Sequence, residues 1–233
     1  MIPDLKGVVV IVGNYGSGKT EVAINLAVVK QAEGVPVRIA DLDLVNPYFR
    51  TREARHQLQE LGIDVVIPPE KYLHADLPIL SPDVAAMIRQ PSPLVILDVG
   101  GDHVGANVLA AVADAFGDTL PQMLQVVNPY RPFTESVAGC MKIRREIETA
   151  AKLNMTGIIG NANLMDDTDL THIYDGYAFV QEYSKDSDLP VAFVTARADL
   201  LPELDPARLE CPILPIRQQL MPPWRRAVNL AAG

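Results

Sequence analysis

The residues most suited to chemistry form one short segment, Gly13–Thr20, which reads Gly-Asn-Tyr-Gly-Ser-Gly-Lys-Thr. It matches every position of the phosphate-binding pattern G-x-x-x-x-G-K-[ST]. Glycines let successive backbone N–H groups turn toward phosphate oxygens, and a helix that follows adds partial positive charge. Lys19 can reach the outer phosphates, and the Thr20 hydroxyl can ligate Mg²⁺. The segment predicts nucleoside triphosphate binding, with contacts from Gly13, Asn14, Tyr15, Gly16, Ser17, Gly18, Lys19 and Thr20.

A pair of carboxylates, Asp41 and Asp43, follows the apolar run 35–40. In an extended chain, residues two apart point to the same side. Two adjacent carboxylates are costly unless a cation or a proton lies between them. The pair therefore indicates cation binding or activation of a water molecule. The alternative is that these residues cap the next turn, which aspartate commonly does.

A further carboxylate, Asp98, closes the apolar run Leu94–Leu97, and Gly101 follows it. A carboxylate at the end of a buried strand is typical of the shell around a nucleotide-bound Mg²⁺. The spacing D-x-x-G also places a glycine N–H where it can meet a γ-phosphate and respond to its loss. We expect Asp98 to serve the cation and Gly101 to contact the nucleotide.

Short apolar runs alternate with helical patterns along the whole chain, and these elements must position the site. The predicted strands are 8–12, 35–40, 64–67, 94–97, 123–127, 157–159, 191–194 and 213–216. The predicted helices are 20–33, 51–61, 83–89, 107–115, 134–152 and 169–183. This alternation predicts an α/β fold, a doubly wound and mostly parallel sheet of about seven or eight strands with helices on both faces. We interpret residues 1–233 as a single nucleotide-binding domain whose ligand lies at the carboxyl ends of the strands.

The bulk properties limit the classes of partner. The formal net charge of −9 argues against nucleic acid, because neutralising phosphates requires a basic face. No apolar run approaches the roughly 20 residues of a membrane span, and the N-terminus lacks a signal-peptide pattern. Cys140 and Cys211 have no metal-binding or redox spacing. We expect a cytoplasmic protein.

The order of these motifs resembles the MinD/ParA type of P-loop ATPase, a class that also includes CooC and the Mrp-type carriers. The resemblance covers about residues 7 to 217. The residues that carry it are Gly13–Thr20, Asp41-x-Asp43, Asp98-x-x-Gly101 and Asn128-Pro129. It implies a Mg²⁺-dependent ATPase that uses ATP binding and hydrolysis as a switch for an unidentified protein partner.

The resemblance also implies a role for each catalytic residue. Asp43 would position or activate the attacking water, and Lys19 would hold the outer phosphates. Thr20 would bind Mg²⁺ directly, whereas Asp41 and Asp98 would hold it through water.

Recognition of the base is expected from the loops that follow the last strands. Asn161 and Asn163 fall where the family keeps a base-reading asparagine, and an amide suits adenine because it donates and accepts together. The alternative is that both shape a turn. The loop 195–199, which contains Arg197, would also lie beside the base. The N-K-x-D guanine signature is absent there, which favours ATP over GTP.

Asn14 is the main departure from the family. Most MinD/ParA proteins carry a second lysine at this position, which reaches across a nucleotide-bound dimer. An amide cannot supply that cation. Arg50, Arg52 or Arg131 could replace it, or each could be a solvated surface charge. An ATP-dependent homodimer and activation by a different protein therefore both remain open.

Other members of the superfamily suggest alternative functions for this chain. Paired cysteines for metal delivery are absent, and the proline-broken segment 221–228 predicts no stable membrane anchor. The alternative function is an ATP-dependent small-molecule kinase or ligase resembling dethiobiotin synthetase or cobyrinate amidation enzymes, with an acceptor site at Lys71–Pro82. A third is a nucleotide-binding regulatory module with negligible turnover.

Overall fold

The computed structural model describes residues 3–43, 54–67, 82–90, 92–101, 103–117 and 120–219, with the backbone alone at 103, 104 and 106. Arg50 and Arg52, nearly all of the suggested acceptor segment and the C-terminal segment 221–228 lie outside the described residues.

The strands form one sheet of eight, and every pairing is parallel. They are β1 (Gly7–Gly13), β2 (Val37–Leu42), β3 (Asp64–Val66), β4 (Leu94–Val99), β5 (Gln122–Val127), β6 (Gly157–Gly160), β7 (Val191–Arg197) and β8 (Ile213–Ile216). Their order across the sheet is β3-β2-β4-β1-β5-β6-β7-β8. The predicted α/β fold with a doubly wound parallel sheet is confirmed.

The helices are α1 (Lys19–Ala32), α2 (Arg55–Glu60), α3 (Pro82–Arg89), α4 (His103–Val112), α5 (Val137–Ala151) and α6 (Leu170–Ser187). All six differ from their predicted bounds by one to four residues, and for α5 and α6 the difference has a local reason. Helix α5 begins after Thr134, because the Thr134 hydroxyl donates to the Asn128 carbonyl and holds the preceding turn (2.7 Å). Helix α6 continues to Ser187, where Asp188 ends it in the left-handed conformation (φ 55°).

Apolar side chains are buried on both faces of the sheet. On β1, Val9 and Ile11 belong to the cluster that includes α1 and α2. Val8, Val10 and Val12 belong to the opposite cluster, which includes residues of α3, α4, α5 and α6. Burial on both faces explains why the strands read as continuous apolar runs. It also leaves the carboxyl ends of the strands as the place for a polar site.

Candidate nucleotide-binding site

The loop between β1 and α1 has positive φ angles, which favour glycine, at three positions. Gly13, Gly16 and Gly18 have φ of 147°, 74° and 92°. A Cβ on Gly13 would lie 2.5 Å from the Val126 carbonyl oxygen of β5, and one on Gly18 would collide with the Asn161 amide. Backbone conformation therefore favours glycine at all three positions, and the close approach of β5 and of Asn161 adds a steric requirement at Gly13 and Gly18.

Lys19 is the first residue of α1, and only 6% of it is exposed. Its Nζ donates to the Asn14 carbonyl oxygen at 3.1 Å. The segment after β4 lies against the same ammonium, since a Cβ on Gly101 would be 2.6 Å from Nζ and 2.8 Å from the Tyr15 backbone nitrogen. The loop and the D-x-x-G segment are therefore in direct contact around Lys19.

Three carboxylates lie at the carboxyl ends of β2 and β4, at the same edge of the sheet as this contact. Asp41 and Asp98 are register partners on β2 and β4, within the strands, and both are fully buried. The Asp43 backbone N–H donates to Asp41 Oδ1 at 3.1 Å. A Cβ on Gly100 would lie 3.2 Å from Asp43 Oδ1. Asp43 therefore lies beside the segment that touches Lys19.

The oxygen atoms of Thr20, Asp41 and Asp98 suit a cation that is bound together with a nucleotide. Among the described residues, no group of three His, Cys, Asp or Glu side chains could bind a metal ion on its own. Mg²⁺ in nucleotide sites is usually held by one or two carboxylates together with substrate phosphates. Thr20, Asp41 and Asp98 remain the predicted ligands.

A cleft of about 650 Å³ opens along the phosphate-binding loop. Its walls come from that loop and from the loops after β5, β6, β7 and β8. Ten of the residues predicted from sequence line it: Tyr15, Gly16, Ser17, Gly18, Lys19, Thr20, Asp43, Asn161, Asn163 and Arg197. A cleft of this size is typical of small-molecule and cofactor sites.

The two asparagines after β6, Asn161 and Asn163, form hydrogen bonds that fix the loops around the cleft. The Asn161 amide donates to the Ser17 carbonyl oxygen and accepts from the Thr195 hydroxyl, each at 2.6 Å. Asn163 Oδ1 accepts from the Met165 N–H at 2.5 Å and so shapes its own turn. Asn161 thereby links the phosphate-binding loop to β7. Base contact by either amide stays a prediction.

Arg197 joins the loops after β6 and β7. Its guanidinium pairs with both oxygens of Asp199 (3.0 and 2.5 Å) and donates to the Asp166 carbonyl oxygen (3.0 Å). The hydrogen bond from Arg197 lowers the pKa of the Asp199 carboxyl, and the same bond raises the pKa of Arg197. Through these bonds Arg197 connects two loops that form the wall of the cleft.

Several lining residues were not predicted from sequence: Glu21, Met165, Asp166, Ile216, Arg217 and Gln218. The end of β8 reaches the cleft because Asn25 of α1 binds the Arg217 backbone twice, at 2.9 and 3.0 Å. Asn25 and Arg217 are 192 positions apart, and no pattern in the sequence indicates their contact.

No protein-family model and no curated protein sequence match the chain. Solved structures do match its fold. One is the cell division protein FtsY from Thermotoga maritima, with 22% identity, a TM-score of 0.56 and coverage of 83% of this chain and 63% of that one. Another is the 54 kDa signal recognition particle protein from Aeropyrum pernix in complex with GDP, with 21% identity, a TM-score of 0.53 and coverage of 83% and 42%. Chloroplast FtsY from Physcomitrella patens has 24% identity, a TM-score of 0.53 and coverage of 82% and 58%.

The similarity shows that the chain has the α/β P-loop NTPase-like fold of these structures. This chain spans less than two thirds of the length of each of these proteins. The similarity does not confirm the MinD/ParA type specifically. No helix within the described ranges has the length and apolar character needed to cross a membrane.

Proposed function

We propose that this chain is a Mg²⁺-dependent ATPase of the MinD/ParA type that switches a protein partner. The observation that carries the proposal is the contact between Lys19 and Gly101. A terminal phosphate bound by Lys19 would meet the backbone of Gly101, which lies two residues before α4. Loss of that phosphate would remove a bond from the D-x-x-G segment. Binding and hydrolysis would thus be transmitted to α4 and its surface.

The site contains the groups that phosphoryl transfer requires, because that reaction depends on positioning and electrostatics. Lys19 offers a buried positive charge, and Asp43 offers a carboxylate in the same cleft to orient water. Bound Mg²⁺ would neutralise charge on the β- and γ-phosphates. Thr20, Asp41 and Asp98 would hold it.

The part of the cleft formed by the loops after β6 and β7, where we expect the base, favours ATP over GTP. Guanine presents neighbouring N–H donors that a carboxylate accepts well. Both oxygens of Asp199 are already engaged by Arg197, and Leu164 occupies the last position of Asn161-Ala162-Asn163-Leu164, where the guanine signature has aspartate. The Asn161 amide is already bonded on both sides, to Ser17 and Thr195, so contact with adenine is assigned to the Asn163 amide nitrogen, which can donate to a ring nitrogen.

Equilibrium binding and phosphate release, measured with Mg-ATP and Mg-GTP on the purified chain, test the proposal. We expect ATP to bind more tightly than GTP and to be hydrolysed slowly, with ATP binding weakened and hydrolysis lost in Lys19→Ala. GTP is an informative competitor because a structure of the same fold was solved with GDP. Tighter binding of GTP would overturn the assignment of ATP. Failure to bind either nucleotide would overturn the proposal as a whole.

The fate of the transferred phosphate separates the switch from the alternative kinase or ligase. The suggested acceptor segment lies almost entirely outside the described residues, so the structure provides no contact in its favour. Release of free phosphate that a protein partner accelerates is the result expected of a switch. Phosphate found on a small-molecule acceptor would instead favour the alternative.

A further inference from the structure

Asn14 joins the phosphate-binding loop to a second loop. Its side-chain Nδ2 donates to the Pro132 carbonyl oxygen at 2.7 Å, while its own carbonyl oxygen accepts from Lys19 Nζ at 3.1 Å. The same residue therefore contacts the phosphate-binding lysine and the loop 128–134 that follows β5. This loop begins with Asn128-Pro129 and contains Arg131.

The loop 128–134 is fixed by its own hydrogen bonds. The Asn128 carbonyl oxygen accepts from the Arg131 N–H (3.1 Å) and from the Thr134 hydroxyl (2.7 Å). Asn128 Oδ1 accepts from the Tyr130 N–H at 3.0 Å. Asn128 and Thr134 are both buried. Since the bonds join residues on both sides of Arg131, its backbone has one defined position.

Arg131 lines the nucleotide cleft. Its Nε is buried without a hydrogen-bond partner. Within the part of the chain that the structure describes, no hydrogen bond or ion pair is found for this guanidinium. A desolvated N–H of a permanently charged group is costly unless an anion satisfies it, and a guanidinium matches phosphate geometry. Its neighbour Pro132 is bonded to Asn14, so Arg131 lies toward the phosphate end of the cleft.

We propose that Arg131 binds the triphosphate of its own chain and supplies in cis the cation that stabilises the transition state. Asn14 is the residue that positions it. The proposal rests on the proposed function. In the reaction, a water oxygen bonds to the γ-phosphorus while that phosphorus separates from the β–γ bridging oxygen. The bonding electron pair stays on ADP, and the products are ADP, phosphate and a proton. Arg131 offsets the negative charge that grows on the transferred group and the bridging oxygen.

In the cis arrangement, Asn14 holds the loop that carries Arg131. A lysine at that position would place a cation for a second copy, as the resemblance implies, whereas the amide holds a loop of the same chain. Hydrolysis should therefore be complete within one protomer, and its rate per molecule should not depend on protein concentration.

Single-turnover hydrolysis and ATP affinity, measured for Arg131→Ala, Arg131→Lys and Asn14→Ala, test the proposal. Arg131→Ala should lower the hydrolysis rate about 10³-fold, the lower end of the effect of an arginine finger. Arg131→Lys should restore part of the rate if it binds ATP as the parent does. Asn14→Ala should slow hydrolysis while Arg131 remains present. The control is Arg145→Ala, which removes an exposed arginine of α5 and should leave the rate unchanged.

Mixing two inactive variants distinguishes cis from trans action. Asp43→Asn retains Arg131, and Arg131→Ala retains Asp43. If Arg131 acts across an interface, a mixture would recover hydrolysis; we expect none. Recovery in the mixture, or a parental rate in Arg131→Ala, would overturn this inference and leave the ATPase proposal intact. Absence of hydrolysis by the parent chain would overturn both.

Discussion

Asp41 and Asp98 stand beside each other on neighbouring strands, paired in register between β2 and β4, and neither side chain is exposed. Two buried carboxylates in adjacent positions repel each other unless a cation or proton intervenes. Their place at the carboxyl ends of two strands next to the phosphate-binding loop explains how a nucleotide-bound cation would stabilise them.

Replacing Asp98 by Asn should weaken the response to Mg²⁺, because one of the two predicted carboxylates of its shell becomes neutral. We expect the Mg²⁺ concentration that gives half-maximal ATP binding to rise about tenfold, corresponding to about 1.4 kcal/mol. A Mg²⁺ titration at fixed ATP measures this. Asp114→Asn, an exposed carboxylate before β5, is the matched control. An unchanged Mg²⁺ requirement would remove Asp98 from the cation site.

Lys19→Ala should weaken Mg-ATP binding by about 10- to 150-fold, since a charge-assisted hydrogen bond contributes roughly 1.5–3 kcal/mol. Calorimetric titration with ATP measures the change. Lys142→Ala removes an exposed lysine whose weak pairing with Glu146 spans 3.9 Å, and should bind as the parent does. Equal affinity of the Lys19 variant and the parent would contradict phosphate binding by this loop.

Asp43→Asn should keep ATP and Mg²⁺ but lose hydrolysis. The amide retains the shape of the carboxylate, but it cannot accept a proton or orient water as a charged group does. We expect the single-turnover rate to fall by about 10²- to 10⁴-fold. If this variant hydrolyses ATP at the parental rate, water positioning belongs to another residue.

Gly101→Ala should disrupt the switch contact. The added Cβ would lie 2.6 Å from Lys19 Nζ and 2.8 Å from the Tyr15 nitrogen, distances at which the loop or the lysine has to move. We expect weaker ATP binding and loss of the difference in protease cleavage between the ATP and ADP states. Equilibrium unfolding should show that the variant is folded. Parental affinity together with a parental cleavage difference would show that Gly101 does not sense the nucleotide.

Sedimentation of Asp43→Asn with Mg-ATP and with Mg-ADP tests assembly. The resemblance implies a dimer that forms only with ATP. A site completed in cis by Arg131 would let such a dimer carry a signal without being needed for hydrolysis. A monomer in both states at protein concentrations well above those of the cell would contradict the ATP-dependent homodimer. A dimer in both states would show that ATP does not control it.

The amino-acid sequence alone was sufficient for features that depend on neighbours along the chain. The loop Gly13–Thr20 is eight consecutive residues, so its match to the phosphate-binding pattern can be recognised from the sequence. All eight strands were predicted to within three residues of their observed bounds, because burial on both faces requires continuous apolar runs. The carboxylates Asp41 and Asp98 were predicted as cation ligands because they come at the ends of such runs, and that role stays a prediction.

The tertiary structure decided which loops meet. The placement of β1 between β4 and β5 brings Gly101 against Lys19 and the Pro132 carbonyl against Asn14. Asn14 and Pro132 are 118 positions apart, and the bond joins an amide to a backbone carbonyl, a group that every residue carries. Such a contact leaves no pattern in the sequence. It exists because the order of strands across the sheet, rather than their order along the chain, sets the distances between their loops.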